Sequence, residues 1–336
     1  MMRSGSKTFF AASRLLPPRV RAASIALYAF CRVADDLIDE GGDVSGRLFA
    51  LRQRLDHIYA GVPANHVEDQ ALSIVVQQHD LPRILLDALL EGFEWDAQGR
   101  RYDCLEALEA YAARVAGTVG AMMCWIMGSN APQTLARACE LGMAMQLTNI
   151  ARDVGEDARN NRIYLPLNWL REAGVDLEQW LKQPLATGGV KSVIGRLLDR
   201  ADVLYKRAQT GIAELPPDCR AAILAAGVIY AEIGRQLRRE GLDSVSGRTV
   251  VSTGRKMFLL FTALTQAGFI YTRPQQPAPL AAIRFLVQGC TGPCEVVRAR
   301  NYFPNRAMPQ RVEWLLGLFE RLETERRVRK SVGLSA

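Results

Sequence analysis

Hydrophobic residues recur at helical spacing along most of the chain, whereas the strict alternation that is typical of strands is scarce. In residues 25–34 the apolar side chains fall three and four residues apart, as on one face of a helix. This series consists of Ile25, Leu27, Tyr28, Phe30, Cys31 and Ala34. Clusters of Gly and Pro, such as Gly41-Gly42 and Pro216-Pro217, are expected to end the helices. The pattern therefore predicts an all-α fold.

No flexible or charged linker interrupts the chain before about Tyr271, so residues 1–271 are predicted to form one helical domain. The chain then becomes rich in proline and basic residues, and residues 272–336 are predicted to form an appendage. Its last apolar face, from Val312 to Leu322, is expected to dock on the domain, with a membrane as the alternative. The longest apolar runs, 116–127 and 257–271, are shorter than the ~20 residues that cross a bilayer, and both are predicted to be buried helices.

The net charge of +7 indicates an anionic partner, such as a phosphorylated substrate, an acidic membrane surface or a nucleic acid. Because no basic stripe is interleaved with aromatic residues, a nucleic-acid partner is not expected. The seven cysteines are scattered and no secretory leader is evident, which indicates a cytoplasmic protein with reduced thiols. A peripheral contact with a membrane is the alternative that the sequence leaves open.

Three aspartates lie close together at the end of the first predicted helix. Asp35 and Asp39 are one helical turn apart and Asp36 is three residues from Asp39, so their carboxylates share a face. Like charges at this spacing repel each other, and the helix dipole disfavours negative charge at a C-terminus by about 0.3–1 kcal/mol per residue. A positive partner is therefore expected beside this cluster.

A second acidic cluster lies near the end of another predicted helix. Asp153 and Asp157 are one turn apart, and Gln146 and Asn149 precede them on the same face at steps of three and four residues. The flanking positions are apolar or small, which indicates a largely buried helix. A stripe of amide side chains that leads to acids on a buried helix is not what a solvated face requires.

Paired aspartates on facing helices are suited to bind divalent cations, and Mg²⁺ completes its shell with water and substrate phosphate. Arg32, Arg152 and Arg162 lie near the acids in sequence and would neutralise a charged leaving group. Solvated helix ends with simple counter-ions are the alternative explanation. The residues alone thus predict a metal-dependent enzyme that acts on a diphosphate.

Several blocks of the sequence resemble the signatures of the squalene/phytoene synthase family. The longest block runs from Leu141 to Asp157 and continues from Arg162 to Pro166. Residues 111–120 resemble the other family signature, residues 28–39 resemble the first aspartate-rich motif, and residues 5–9 resemble the N-terminal segment that contacts diphosphate. The resemblance covers roughly residues 4–256. It implies the all-α class I isoprenoid synthase fold, a helical bundle with a central cavity.

The resemblance also implies the roles of individual residues. Metal would bind at one rim of the cavity to Asp35, Asp36 and Asp39, and at the other rim to Asn149, Asp153 and Asp157. The predicted catalytic residues among them are Asp35, Asp39, Asp153 and Asp157. The residues predicted to contact or flank the diphosphate are Ser6, Tyr28, Arg32, Gln146, Arg152, Tyr164 and Arg248, with Tyr230 as a further late contact. The expected cation is Mg²⁺, with Mn²⁺ as an alternative.

The apolar segment from Val115 to Met127 carries a stripe of small residues that includes Gly117, Gly120 and Ala121. Small side chains let another group approach the backbone closely, and tight helix packing is the general explanation of such a stripe. The resemblance favours a second explanation, in which these residues and Val115 form a wall of the prenyl cavity.

As to activity, the resemblance implies that two geranylgeranyl diphosphates condense head to head, through a cyclopropylcarbinyl (prephytoene) diphosphate, to give phytoene. This reaction is the first committed step of carotenoid biosynthesis, so other enzymes of that pathway are further expected partners. No nicotinamide cofactor is expected, because proton loss takes the place of the reduction that makes squalene. The alternatives are a squalene or dehydrosqualene synthase that uses farnesyl diphosphate, and a non-catalytic assembly protein on the same fold.

Overall fold

The computed structural model describes residues 15–39, 43–267 and 277–291, and within these ranges the protein is helical and contains no strand. The all-α prediction is confirmed. The α-helices are, in chain order, α1 (Pro18–Asp39), α2 (Val44–Tyr59), α3 (Val67–His79), α4 (Arg83–Ala97), α5 (Leu105–Ala112), α6 (Thr118–Ile126), α7 (Pro132–Arg159), α8 (Leu167–Glu172), α9 (Leu177–Lys182), α10 (Gly188–Ile212), α11 (Pro217–Arg239), α12 (Thr253–Gln266) and α13 (Arg284–Thr291). A π-helical turn, Ala113–Gly117, joins α5 to α6, and a 3-10 turn, Ala281–Ile283, precedes α13.

The chain divides into two compact units after residue 83. In the first unit, α1 packs against α2 and α3 through buried residues such as Phe30 and Leu72. Arg54 on α2 donates hydrogen bonds of 2.8 and 2.7 Å to the two carboxylate oxygens of Asp69 at the start of α3. Asp69 is fully buried, so this ion pair satisfies a charge that would otherwise be costly to bury.

The second unit is built around α7, whose 28 residues are about 42 Å long at 1.5 Å per residue. Pro132 at its first turn suits a helix start, because the backbone nitrogen needs no partner there. The helix packs against α5, α6, α10, α11 and α13, and most of its residues are buried. It ends at Arg159, two residues after Asp157, and Asn161 in the turn that follows adopts a left-handed conformation with φ of 55°. The predicted helix break after the second acidic cluster is confirmed.

Two glycines let the segment of small residues pack closely against α7. A Cβ atom at Gly120 would lie 2.1 Å from the carbonyl oxygen of Ala138, and one at Gly142 would lie 2.1 Å from the carbonyl oxygen of Ala116. Any larger residue would push the two backbones apart. The sequence predicted one regular helix over 115–127, but its first residues form the π turn, at the point where Gly142 meets Ala116.

The described start of the predicted appendage is attached to α7 and α10. Arg137 donates a hydrogen bond of 3.0 Å to the Pro277 carbonyl, and Arg207 donates one of 2.7 Å to the Ala278 carbonyl. Both arginines also pair with Glu140, a fully buried acid on α7. The final apolar face, from residue 312 to 322, lies outside the described residues, and the domain boundary near residue 271 stays a prediction.

The second long apolar run differs from its prediction. Residues 257–266 belong to α12, of which only Leu259 and Ala263 are buried, because a single face of the helix packs against α11. The prediction of a buried helix is therefore wrong for the described part of this run. Among the residues that the structure describes, no helix combines the length and the apolar character needed to cross a bilayer.

Candidate active site

The polar stripe predicted on α7 lies on one face of that helix. Gln146, Asn149, Asp153 and Asp157 follow one another at steps of three and four residues. Gln146 and the two aspartates are buried, and Asn149 is partly buried. Polar groups with so little access to water need partners nearby. The stripe is therefore not a solvated helix face, and its role as a binding site stays a prediction.

The loop that follows α11 packs over this end of α7. The backbone N–H of Gly155 donates a 3.0 Å hydrogen bond to the Ser244 carbonyl. A Cβ atom at Gly155 would lie 2.2 Å from the Val245 carbonyl oxygen, so the close approach requires glycine. The loop thereby brings Arg248 to Asp153, which is 95 residues away in sequence.

Two arginines form hydrogen-bonded ion pairs with the carboxylate of Asp153. Arg152 donates 2.9 Å hydrogen bonds from Nε and Nη2 to the two carboxylate oxygens, and Arg248 donates bonds of 2.8 and 3.0 Å to the same pair of oxygens. Burial acts to raise the pKa of Asp153, but the hydrogen bonds from Arg152 and Arg248 hold that pKa below its ordinary value. The carboxylate is thus ionised, and two positive charges stand beside one negative charge.

Asp157 lies one turn further along α7 in a different environment. Burial, together with the negative charge of Asp153, raises the pKa of Asp157 to about 8. Its carboxyl group is therefore mostly protonated at neutral pH in the metal-free protein. A cation bound beside it would favour the ionised form.

The donor set on α7 fits a hard divalent cation. Asn149 Oδ1 is buried and accepts no hydrogen bond from the described residues, so one oxygen ligand stands without a partner. Asp153 and Asp157 supply carboxylate oxygens on the same face. No cluster of three or more His, Cys, Asp or Glu side chains that could hold a metal ion was found within the described ranges. A cation held by Asn149, Asp153 and Asp157 would take further ligands from water or substrate, as Mg²⁺ sites commonly do.

Tyr164 belongs to a buried group of tyrosines around one carboxylate. Its hydroxyl donates a 2.7 Å hydrogen bond to Asp96 Oδ1, and the Tyr111 hydroxyl donates to the same carboxylate at 2.7 Å to Oδ2. The rings of Tyr164 and Tyr111 stack with centroids 5.4 Å apart. Burial raises the pKa of Asp96, and both hydroxyl donors act to lower it. Asp96 thereby fixes the orientation of Tyr164, one of the predicted diphosphate contacts.

Tyr230, the remaining predicted contact on this unit, lies on α11. Burial raises the pKa of its hydroxyl, and the charges of Arg152, Asp153 and Arg248 also act on it. The structure therefore brings Tyr230 to the same end of α7 as the two arginines.

The first aspartate motif lies on α1, in the first unit. Arg32 donates a 3.0 Å hydrogen bond from Nε to Asp36 Oδ2, and its Nη1 is 3.6 Å from Asp35 Oδ2. Tyr28 is buried one turn before Arg32. The helix is described as far as Asp39, and the Asp39 side chain lies outside the described residues, as does Ser6. Within this unit the structure gives Asp35 and Asp36 the positive partner that their spacing required.

The four predicted cavity residues lie in the π turn and α6. Gly117 and Gly120 face α7, whereas a separate cavity of about 220 Å³ lies between α7, α10 and α11. Apolar side chains such as Leu141 and Leu224 line this cavity together with charged ones such as Asp202, Lys206 and Arg235, and none of the four predicted residues does. The role of Val115, Gly117, Gly120 and Ala121 in prenyl binding stays a prediction.

Sequence reasoning missed Asp96. It is the acid at the end of the buried face of α4, following Leu85, Leu89 and Phe93 at helical spacing. An acidic residue in line with a buried apolar stripe indicates that a polar partner lies nearby in the core. Its partners, however, come from two other segments of the chain.

A sequence model of the family described as squalene/phytoene synthase matches residues 2–255. The chain is 50% identical over 280 residues to a phytoene synthase of Rhodobacter capsulatus, covering 82% of this chain and 83% of that protein. It is 45% identical over 343 residues to a phytoene synthase of Cereibacter sphaeroides, covering 97% of this chain and 93% of that protein. Among solved structures, a dehydrosqualene synthase crystallised with a ligand is similar with a TM-score of 0.72 at 32% identity, covering 80% of this chain and 94% of that one.

The family match spans both aspartate motifs, and the relatives agree with the chain over most of its length. The fold and the positions of the acidic residues on α1 and α7 are consistent with that match. The chain belongs to the squalene/phytoene synthase family.

Proposed function

We propose that this protein joins two molecules of geranylgeranyl diphosphate head to head and releases phytoene. The observation that carries the proposal is the site on α7, where two arginines flank Asp153, the Asn149 oxygen has no hydrogen-bond partner among the described residues, and the pKa of Asp157 is raised to about 8. This arrangement can hold a divalent cation and a diphosphate together. The identity of the product is supported by relatives named phytoene synthase that cover most of the chain.

Mg²⁺ is the proposed cation, and Mn²⁺ is an alternative with the same preference for oxygen ligands. On the second unit, Asn149, Asp153 and Asp157 would hold it, and on the first unit Asp35, Asp36 and Asp39 are the proposed ligands. When bound, the cation neutralises the diphosphate and promotes its departure.

The arginines of the site have a separate task. Arg152 and Arg248 each place a planar guanidinium beside Asp153, and their two positive charges can attract a second anion such as a diphosphate. Because both groups are already held by Asp153, little reorganisation is needed when negative charge develops on the leaving oxygen. No side chain has to act as a covalent nucleophile.

In the proposed reaction, diphosphate leaves the first substrate, and the double bond of the second substrate attacks the allylic cation that remains. This step forms the cyclopropylcarbinyl diphosphate and releases a proton. The second diphosphate then leaves, the cyclopropane rearranges, and loss of another proton gives phytoene. The apolar surroundings of the site would keep water away from the cations.

A second candidate is a dehydrosqualene or squalene synthase that uses farnesyl diphosphate. The similarity to the solved dehydrosqualene synthase favours it. The two candidates share the ionisation chemistry and differ in chain length, so the product distinguishes them. The relatives named phytoene synthase, at 50% and 45% identity, favour the longer substrate.

The test is to incubate the purified protein with Mg²⁺ and either geranylgeranyl or farnesyl diphosphate, with and without NADPH, and to identify the hydrocarbon by mass spectrometry. We expect a forty-carbon product from geranylgeranyl diphosphate that does not depend on NADPH. A thirty-carbon product alone would establish the second candidate. No hydrocarbon under any of these conditions would favour a non-catalytic relative.

A further inference from the structure

One face of α12 exposes large apolar residues that a soluble surface rarely groups together. The exposed fractions are 58% for Met257, 58% for Phe258, 67% for Phe261 and 47% for Leu264, and Val250 just before the helix is 70% exposed. Exposed apolar patches of this kind mark sites of interaction with a protein or a membrane.

The spacing of these residues shows that the face is continuous. Met257, Phe261 and Leu264 are four and three residues apart and share one side of the helix. Leu259 and Ala263 lie on the opposite side, where α12 packs against α11. A helix that is apolar on both sides is normally buried on both. Here the second side is exposed to solvent, so we expect another apolar surface to bind to it.

A cluster of arginines lies directly beside this face. Arg235, Arg239 and Arg255 all donate hydrogen bonds to Glu232, at 3.2, 2.7 and 2.9 Å. Glu232 is fully buried, whereas the side chains of the three arginines are 50%, 52% and 42% exposed. One negative charge therefore holds three positive charges at the surface. The Cζ atom of Arg255 is also 5.4 Å from the centre of the Phe258 ring, so the cluster and the apolar face adjoin each other.

The sequence around α12 adds to this positive field. Between Asp243 and Glu295 the chain contains no acidic residue, while Arg255 and Lys256 lie in the first turn of α12. A second copy of the chain that docked through the same face would bring two arginine clusters together, and like charges across an interface oppose association. The charge thus complements an anionic partner.

We propose that α12 is a docking surface for an anionic membrane. Phe258 and Phe261 insert into the boundary between headgroups and acyl chains, and Arg235, Arg239 and Arg255 contact acidic headgroups. The apolar face and the adjacent cations are the two features that bind helices of this kind to a membrane interface. The proposal does not depend on which hydrocarbon the enzyme makes.

The test is co-flotation of the full-length protein with vesicles, either of phosphatidylglycerol and phosphatidylcholine in equal parts or of phosphatidylcholine alone. We expect the protein to float with the anionic vesicles, and the bound fraction to fall when salt is raised from about 0.1 to about 0.5 M. The double variant Phe258→Ser/Phe261→Ser is expected to bind about tenfold more weakly. Phe49→Ser is the matched control, because Phe49 is 62% exposed on α2, and its binding should equal that of the wild type.

A second variant tests the cations alone. Arg235→Gln/Arg239→Gln leaves Arg255 to pair with Glu232, and we expect affinity for anionic vesicles to fall about tenfold or more. Absence of wild-type binding to anionic vesicles would overturn the proposal. So would a dimeric mass in light scattering that reverts to a monomer in the Phe258→Ser/Phe261→Ser variant, since the face would then be an interface between two copies. Product formation measured in detergent reports separately on the proposed function.

Discussion

Two buried carboxylates of the second unit, Asp153 and Glu232, each form ion pairs with arginines, but the other groups beside them differ. Asp153 on α7 accepts four hydrogen bonds from Arg152 and Arg248 in the interior of the protein. Glu232 on α11 is held by three arginines whose side chains reach solvent. The ion pairs themselves are similar in geometry.

The difference lies in the groups next to the ion pair. Beside Asp153, the Asn149 oxygen has no hydrogen-bond partner among the described residues, and Asp157 has a pKa raised to about 8. Beside Glu232, the arginines satisfy the acid, and its pKa is lowered to about 2 although burial acts to raise it. Unsatisfied groups are expected where a ligand completes the structure, and satisfied ones where the structure is complete. Asp153 thus has the surroundings of a binding site, and Glu232 those of a structural anchor for surface cations.

The largest expected effect comes from Asp153→Asn. The amide keeps the shape of the side chain but removes the charge that holds both arginines, so we expect product formation to fall by about 10²–10³-fold or more. The measurement is turnover of geranylgeranyl diphosphate, with folding checked by circular dichroism. Asp103→Asn is the control, because Asp103 is an exposed acid paired with Arg171 at 3.5 Å. Wild-type turnover in Asp153→Asn would refute its role.

The counterpart, Glu232→Gln, should act on stability and leave turnover nearly unchanged. The three arginines are partly exposed and can recover water, so we expect a loss of about 1–2 kcal/mol in the free energy of unfolding. The measurement is urea unfolding at several pH values. Because the pKa of Glu232 is lowered from 4.5 to about 2, its stabilisation is complete above pH 4.5 and is lost as the pH falls towards 2.

The difference in the free energy of unfolding between the wild type and Glu232→Gln should accordingly be largest near neutral pH and should shrink in acid. A loss of turnover as large as that of Asp153→Asn would erase the distinction between the two carboxylates.

Asp157→Asn tests the acidic neighbour of Asp153, whose pKa is raised, through its effect on stability. Activity should fall with loss of a proposed ligand, but the informative quantity is the stability of the metal-free protein. The folded pKa of about 8 lies above the ordinary 3.8, so the wild type loses stability as the pH rises between these values. Asn carries no such penalty, and we expect the variant to gain about 1–3 kcal/mol over the wild type near pH 8 and little near pH 4. Urea unfolding in the presence of a chelator measures both; an equal difference at the two pH values would contradict the assignment.

The sequence predicted the helices that carry these groups better than the contacts between them. The spacing of Gln146, Asn149, Asp153 and Asp157 places them on one face of any helix, so that face followed from local geometry. The pairing of Arg248 with Asp153 depends on a loop that packs over Gly155, and no local pattern encodes such a distant contact. The exposure of α12 was missed for a similar reason, because an apolar run does not reveal which of its faces a neighbour covers.

Asp96 extends the comparison to a partly buried carboxylate that is held by tyrosines, and it gives the smallest expected effect. Tyr164→Phe removes one of its two tyrosine partners and should lower the free energy of unfolding by about 0.5–1.5 kcal/mol. Tyr102→Phe is the matched control, because the buried Tyr102 hydroxyl has no hydrogen-bond partner among the described residues and its removal should be neutral or slightly stabilising.

The pH dependence distinguishes a lost hydrogen bond from lost packing in this last pair. The hydroxyls of Tyr164 and Tyr111 lower a pKa of Asp96 that burial raises, so loss of one donor should raise that pKa further. A carboxyl group whose folded pKa is raised destabilises the fold increasingly as the pH rises. The deficit of Tyr164→Phe should therefore be larger near pH 8 than near pH 4, when unfolding in urea is followed at both. A deficit that is the same at both pH values, or that Tyr102→Phe shares, would mean that the stacked rings, and not the bond to Asp96, hold Tyr164 in place.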